Sequence, residues 1–245
     1  EDAWYFFDPK DTTLEDGTTL HDLFGENFDK RYSELCNMAE EGVIKNYRIT
    51  PAKDLWKKML KVLFETSHPW NTFKDPCNIR YTNQHEGAVR SSNLCTEITL
   101  HTKSSKYDSG EKTEIGETAV CNLGSINLPN HINKDGDIDF GKLKSSIHTA
   151  IRMLDNVIDI NFYPTKESKK SNSKHRPIGL GVMGLHDALH IKNIIIDSDE
   201  AISWNNYFFE YFSMQAIQAS CNLAKERGSY PTYEGSLWSK NILPI

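Results

Sequence analysis

Lys166–Leu185 reads KESKKSNSKHRPIGLGVMGL, and the choice of fold turns on it. Gly179-Leu180-Gly181-Val182-Met183-Gly184 spells a literal G-x-G-x-x-G. In a dinucleotide-binding fold such glycines let the backbone approach a pyrophosphate at a helix N-terminus, and Asp197 or Asp199 would stand near the right distance for a ribose. That fold needs a hydrophobic strand immediately before the motif. Lys166–Arg176 is basic and polar instead, which no central parallel strand tolerates. The apolar residues Ile178, Leu180, Val182 and Met183 are interleaved with the glycines. Pro177–Leu185 therefore reads as a strand whose glycines allow close packing inside a barrel or sheet. A dinucleotide dehydrogenase is the weaker reading.

The flanks supply helices. Upstream, Leu143, Ile147, Ile151, Leu154 and Ile158 form one continuous stripe at helical spacing. Downstream, a helix over Asp199–Arg227 carries Ile202, Phe209, Phe212, Ala216 and Leu223, with Gly228 suited to its stop. Ala119–Leu128 is apolar and predicted to be extended, after a charged, exposed connection over His101–Glu117. Nearer the start, Ala3–Phe7 reads as a short buried strand. Thr50 as N-cap and Pro51 at the first helical position open a helix with Leu55, Met59 and Leu63 on one face, ended by His68-Pro69-Trp70. Asn78–Thr82 and Cys95–Leu100 read as strands. This alternation predicts an α/β fold with parallel strands, whose chemistry sits at their carboxyl ends.

Acids outnumber bases 34 to 28, a net charge of −6, which argues against nucleic acid or an anionic membrane as partner. No stretch approaches the ~18 apolar residues of a membrane span. The cysteines, Cys36, Cys77, Cys95, Cys121 and Cys221, have neither C-x-x-C spacing nor a disulfide-framework pattern, so no metal site is expected. No N-x-[ST] sequon occurs, consistent with a cytoplasmic protein, or host cytoplasm for a viral one. The chain opens EDAWYFF and stops at ILPI, as a piece of a larger polypeptide or a processed product would.

Asn93-Leu94-Cys95-Thr96-Glu97 holds the candidate chemistry. If extended, it projects Asn93, Cys95 and Glu97 to one face: an amide, a thiol and a carboxylate. One reading is a half-buried strand with a packed cysteine. The other is a site in which the amide binds, the carboxylate takes a proton from a hydroxyl and the thiol works between them. A carboxylate neighbour repels a thiolate, which disfavours a cysteine nucleophile but not a neutral thiol exchanging a hydrogen atom.

Ser91-Ser92-Asn93-Leu94-Cys95-Thr96-Glu97-Ile98 resembles the active-site stretch of the ribonucleotide reductase large (alpha) subunit family. His68-Pro69-Trp70 through Phe73-Lys74-Asp75 and Cys77-Asn78 resembles the segment before it. Ala119–Leu128 (AVCNLGSINL), Met153–Asp159 (MLDNVID), Arg176–Leu185, Leu223–Gly228 (LAKERG) and Asn241–Ile245 (NILPI) follow in the family's order. The resemblance covers essentially the whole chain.

It implies part of a ten-stranded α/β barrel with a central loop carrying the radical cysteine. Residues 1–100 would supply the end of the first half-barrel and that loop, and 118–245 the start of the second. Cys95 would be the thiyl-radical cysteine that takes the 3′-hydrogen of a ribonucleotide. Glu97 would be the base for the 3′-hydroxyl, Asn93 would hold the sugar, and Leu94 would lie with them against substrate. Cys121 would be one of two redox-active cysteines that close to a disulfide. The resemblance further implies that these groups meet one ribose in a dry pocket. The second cysteine has no counterpart here. Cys36 is expected to be a core thiol, Cys77 and Cys221 to be structural, and Tyr230 and Tyr233 to lie in a surface turn. Implied partners are the remaining pieces of the large subunit, a small radical-generating subunit containing metal, the ribonucleotide and a thioredoxin- or glutaredoxin-type reductant. No cofactor is expected on this segment, adenosylcobalamin being a less favoured radical source. The alternative is a catalytically incomplete fragment with a structural or subunit-binding role.

Overall fold

In a computed structural model that describes residues 3–243, the aromatic run Ala3–Phe7 forms strand β1 as predicted. Only Tyr5 and Phe7 pack inward, while Trp4 and Phe6 are exposed, so the strand is half-covered and not buried. A short helix α1 (Pro9–Thr12) follows, then α2 (Gly25–Glu40), whose Leu35 and Ala39 form a small core with Ile44. Strand β2 (Tyr47–Pro51) pairs antiparallel with β1, Ala3 opposite Pro51 and Phe7 opposite Tyr47. Helix α3 (Ala52–Thr66) begins one residue later than Thr50-Pro51 suggests, because Thr50 is still paired with Trp4 in the sheet. Leu55, Met59 and Leu63 are its half-buried face, and left-handed Ser67 closes it on Leu63.

Asn78–Thr82 is not a strand. Helix α4 (Lys74–Arg80) runs through its first half. The Asn78 amide donates to the Lys74 carbonyl one turn back, at 3.0 Å, and this local bond favours the helix. These elements, up to Lys103, form one compact unit together with the stretch from Gly235 onward. That stretch is tied in by the Leu237 N–H on the Thr82 carbonyl, 2.8 Å, and by left-handed Gly235 against the His85 ring. Pro244 and Ile245, which end the family resemblance, lie outside the described residues.

The second unit runs from Ser104 to Glu234. The connection expected over His101–Glu117 contains an antiparallel hairpin, β3 (Lys106–Asp108) and β4 (Glu111–Glu114). Its turn is Ser109-Gly110, both at positive φ, as a two-residue hairpin loop requires. Strand β5 (Leu123–Asn127) then pairs in parallel with β6 (Gly179–Met183), Leu123 opposite Gly179 and Asn127 opposite Met183. Between them come α5 (Phe140–Ile160) and the polar α6 (Lys166–His175). All five stripe residues of α5 are buried.

The glycine run is a strand ending in a tight turn. Gly184 has φ +77°, and a Cβ there would come within 2.5 Å of Pro129 Cδ, so no other residue fits before α7 (Leu185–Ile191). Helix α8 spans Asp199–Arg227 and stops at Gly228, the predicted bounds. Its buried face is Ala201, Phe208, Phe212, Gln215, Ala219 and Leu223; Ile202 is 60% exposed, and Phe209 and Ala216 lie at the margin. The predicted stripe is thus rotated, because Phe208, Phe212 and Leu223 share one core with Leu143, Ile147 and Ile151 of α5.

The chain is mixed α/β. Among the described residues only β5 and β6 pair in parallel; the other two pairs correct the expectation of parallel strands throughout. Among the described residues there is no closed sheet, and no helix is long and apolar enough to cross a membrane.

Candidate active site

Cys95–Leu100 is not a strand either. Asn93–Ile98 is a closed loop: the Asn93 N–H donates to the Ile98 carbonyl at 3.2 Å, and the Ile98 N–H donates to Asn93 Oδ1 at 3.0 Å. An asparagine side chain here satisfies backbone that a neighbouring strand would otherwise pair. The Thr96 N–H reaches back to the Asn93 carbonyl at 3.2 Å, with Thr96 at φ +70°. The four predicted residues are therefore gathered by a turn, not by strand alternation. Asn93 stands half-buried at the base, with Leu94, Cys95 and Glu97 exposed beyond it, Leu94 by 83%. The Cys95 side chain is exposed on this turn.

The stems of the loop are tied down. Arg90 donates to Asp22 through Nε (2.8 Å) and Nη2, and to the Thr102 carbonyl at 3.3 Å, joining the outgoing stem to the returning one. Burial opposes ionisation of Asp22, but its bonds from Thr19 and Arg90 hold its pKa below the usual carboxylate value. Lys74 Nζ bonds the carbonyls of His21 (2.5 Å) and Leu23 (2.8 Å), and the Asp75 carboxylate accepts the Gly25 N–H. On the return, Tyr81 Oη and His101 Nδ1 are 2.6 Å apart and buried.

Cys121 lies in the second unit, exposed, two residues before β5. Asn122 beside it is buried and locked: its amide donates to the Pro177 carbonyl at 2.9 Å, and its own carbonyl accepts the Gly179 N–H at 2.9 Å. The outer face of the two-stranded sheet that follows carries Leu123, Ser125, Asn127, Gly181 and Met183, all exposed, while Ile126 packs inward. Cys36 and Cys77 are half-buried and Cys221 is exposed, so none is a core thiol. Burial pushes the Cys36 thiol up in pKa. Tyr230 and Tyr233 form the expected turn, rings edge-to-face at 5.9 Å, both half-buried.

Two charged networks escaped the sequence reading. Glu117, 2% exposed, accepts His175 Nε2 at 2.6 Å and Lys174 Nζ at 3.0 Å. Burial alone would raise its pKa, but these bonds and their positive charge hold it at about 2. His175 Nδ1 meets Thr232 Oγ1 at 2.9 Å. The buried face of α6 is Ser168, Ser171, Asn172 and His175, so no apolar period announces it. The second network centres on Arg176, which bonds Asp155 and Asp159, while Arg227 also bonds Asp155. Three of the stretches that carry the family resemblance thereby meet in one set of ion pairs.

The family model for the ribonucleotide reductase barrel domain matches residues 1–245. The ribonucleoside-diphosphate reductase subunit alpha of Chlamydia muridarum is 52% identical over 99% of the chain, which covers 22% of that protein. The large chain of the Encephalitozoon cuniculi enzyme is 40% identical over 91% of the chain, 27% of its own length. The Helicobacter pylori subunit alpha is 39% identical across the whole chain, 35% of its length. The chain thus spans between about a fifth and about a third of the relatives it matches, and within them it belongs to the ribonucleotide reductase barrel domain family.

Proposed function

We propose that this chain is the central catalytic segment of a ribonucleotide reductase large subunit, reducing ribonucleotides to 2′-deoxyribonucleotides when completed by flanking polypeptide. One observation carries the reading: Asn93 closes a six-residue loop that presents both Cys95 and Glu97. As a thiyl radical, Cys95 takes the 3′-hydrogen, its S–H bond forming as C3′–H breaks. Glu97 accepts the 3′-hydroxyl proton. The Asn93 carboxamide oxygen is used in closing the loop, leaving its NH₂ to donate to the sugar, with Leu94 alongside. The 2′-hydroxyl then leaves as water. Cys121 and a second cysteine of the completed enzyme give two electrons and two protons, one proton to that water and one hydrogen to C2′, and close to a disulfide. As the second electron of the dithiol reaches C3′, Glu97 returns its proton to the 3′-oxygen, and Cys95 finally returns its hydrogen to C3′.

In this reading β5, β6 and the Cys95 loop are parts of a ten-stranded barrel and its central loop. The radical comes from a metal-containing small subunit, and a thioredoxin- or glutaredoxin-type protein reduces the disulfide. The carboxylate two residues after the cysteine also suits an adenosylcobalamin-dependent enzyme, which is the less favoured source. Cys95→Ser in the complete enzyme is expected to abolish deoxyribonucleotide formation while ribonucleotide binding persists; full turnover removes the assignment. The second reading is a catalytically incomplete fragment with a structural or subunit-binding role.

A further inference from the structure

The Cys95 loop departs from a stem that no β-ladder supports, and at Val89 one side chain takes the ladder's place. Asn78, on α4, is 1% exposed and Val89 is 2% exposed. The Asn78 carboxamide oxygen accepts the Val89 N–H at 2.8 Å. Its NH₂ donates to the Val89 carbonyl at 2.9 Å and to the Lys74 carbonyl at 3.0 Å. A two-way exchange with one residue's N–H and C=O is what a hydrogen-bonded strand partner provides. Asn78 therefore stands in for a missing strand. Gln84 in turn fixes Asn78, donating to its carbonyl at 2.8 Å. Arg90, the next residue of the stem, is tied to Asp22 and to the Thr102 carbonyl on the returning side.

We propose that Asn78 is a positioning residue for Cys95, acting by fixing the Val89-Arg90 stem from which the loop departs. The proposal rests on the reading of Cys95 given above. Hydrogen-atom transfer requires the sulfur and the 3′-hydrogen to meet at near-contact distance, and a misplacement of about 1 Å costs about a hundredfold in rate. Asn93 and Leu94 move with the same loop, but in the reading above they only hold the sugar, whereas Cys95 must reach the reacting hydrogen at near-contact distance, so a displacement of the stem bears on kcat more than on KM.

The test is steady-state kinetics of the complete reductase carrying Asn78→Ala, Asn78→Asp or Cys95→Ser. Asn78→Ala is expected to lower kcat about a hundredfold with KM for the ribonucleotide within about twofold. In Asn78→Asp the protonated acid can still accept from the Val89 N–H and donate to the Val89 carbonyl, whereas the carboxylate can only accept. Its kcat relative to wild type at the same pH should therefore rise as pH falls, the ratio removing titrations common to both enzymes. If Asn78→Ala fails to fold, Asn78→Asp decides. A wild-type kcat in Asn78→Ala, or an Asn78→Asp ratio level across pH, overturns the inference. With Cys95→Ser inactive, the reductase reading survives that failure. An active Cys95→Ser overturns both.

Discussion

Around Ile126, Leu143, Phe208 and Phe212 the second unit buries a continuous apolar core, whereas the apolar cluster of the first, among the described residues, is the small one of Leu35, Ala39 and Ile44. The first unit is held instead by side chains bonded to backbone: Asn78 on Val89, Lys74 on His21 and Leu23, Arg90 on Thr102. Apolar burial is non-directional and fixes helices against a sheet. Hydrogen bonds are directional, and here they set the path of one short loop. The loop carrying the candidate radical cysteine is thus built on the unit where geometry, not burial, dominates.

This contrast can be broken, most strongly in the second unit. Phe208→Ala removes a fully buried ring and should lower stability by about 4 kcal/mol, seen as an earlier urea midpoint. A loss below about 1 kcal/mol would mean that the core is not what holds this unit. Glu117→Gln leaves His175 and Lys174 without their shared carboxylate and should cost about 3 kcal/mol near neutral pH. Because the folded pKa of Glu117 is lowered from 4.5 to about 2, its contribution is complete above pH 4.5 and is lost as pH falls towards 2. Wild type should therefore lose stability across that window and Glu117→Gln should lose less; parallel curves would contradict the assignment. The smallest effect belongs to the first unit. Phe64 is 92% exposed, and Phe64→Ser should change stability by less than about 0.5 kcal/mol.

Where apolar residues recur with a period, the sequence was legible. The α5 stripe, the ends of α8 and the strand through Gly179–Met183 all follow from spacing and from the Gly228 stop. Where polar side chains replace a core, periodicity is silent. Asn78–Thr82 and Cys95–Leu100 have strand-like composition, yet Asn78 and Asn93 divert the local backbone into a helix and a closed loop. The β3–β4 hairpin did leave a signal, Asp108-Ser109-Gly110, within a stretch that reads as irregular because it is charged. Asn93, Leu94, Cys95 and Glu97, close in sequence, share one turn, while Cys121 belongs to the other unit. The arrangement of those four on that turn was not legible.

The most direct test follows the C3′–hydrogen bond itself, using the complete enzyme and a ribonucleotide deuterated at that carbon. The account predicts slower turnover of the labelled substrate by wild type, with the deuterium retained at C3′ of the product, and no C3′ cleavage by Cys95→Ser. Cleavage at C3′ by the Cys95→Ser enzyme would contradict it.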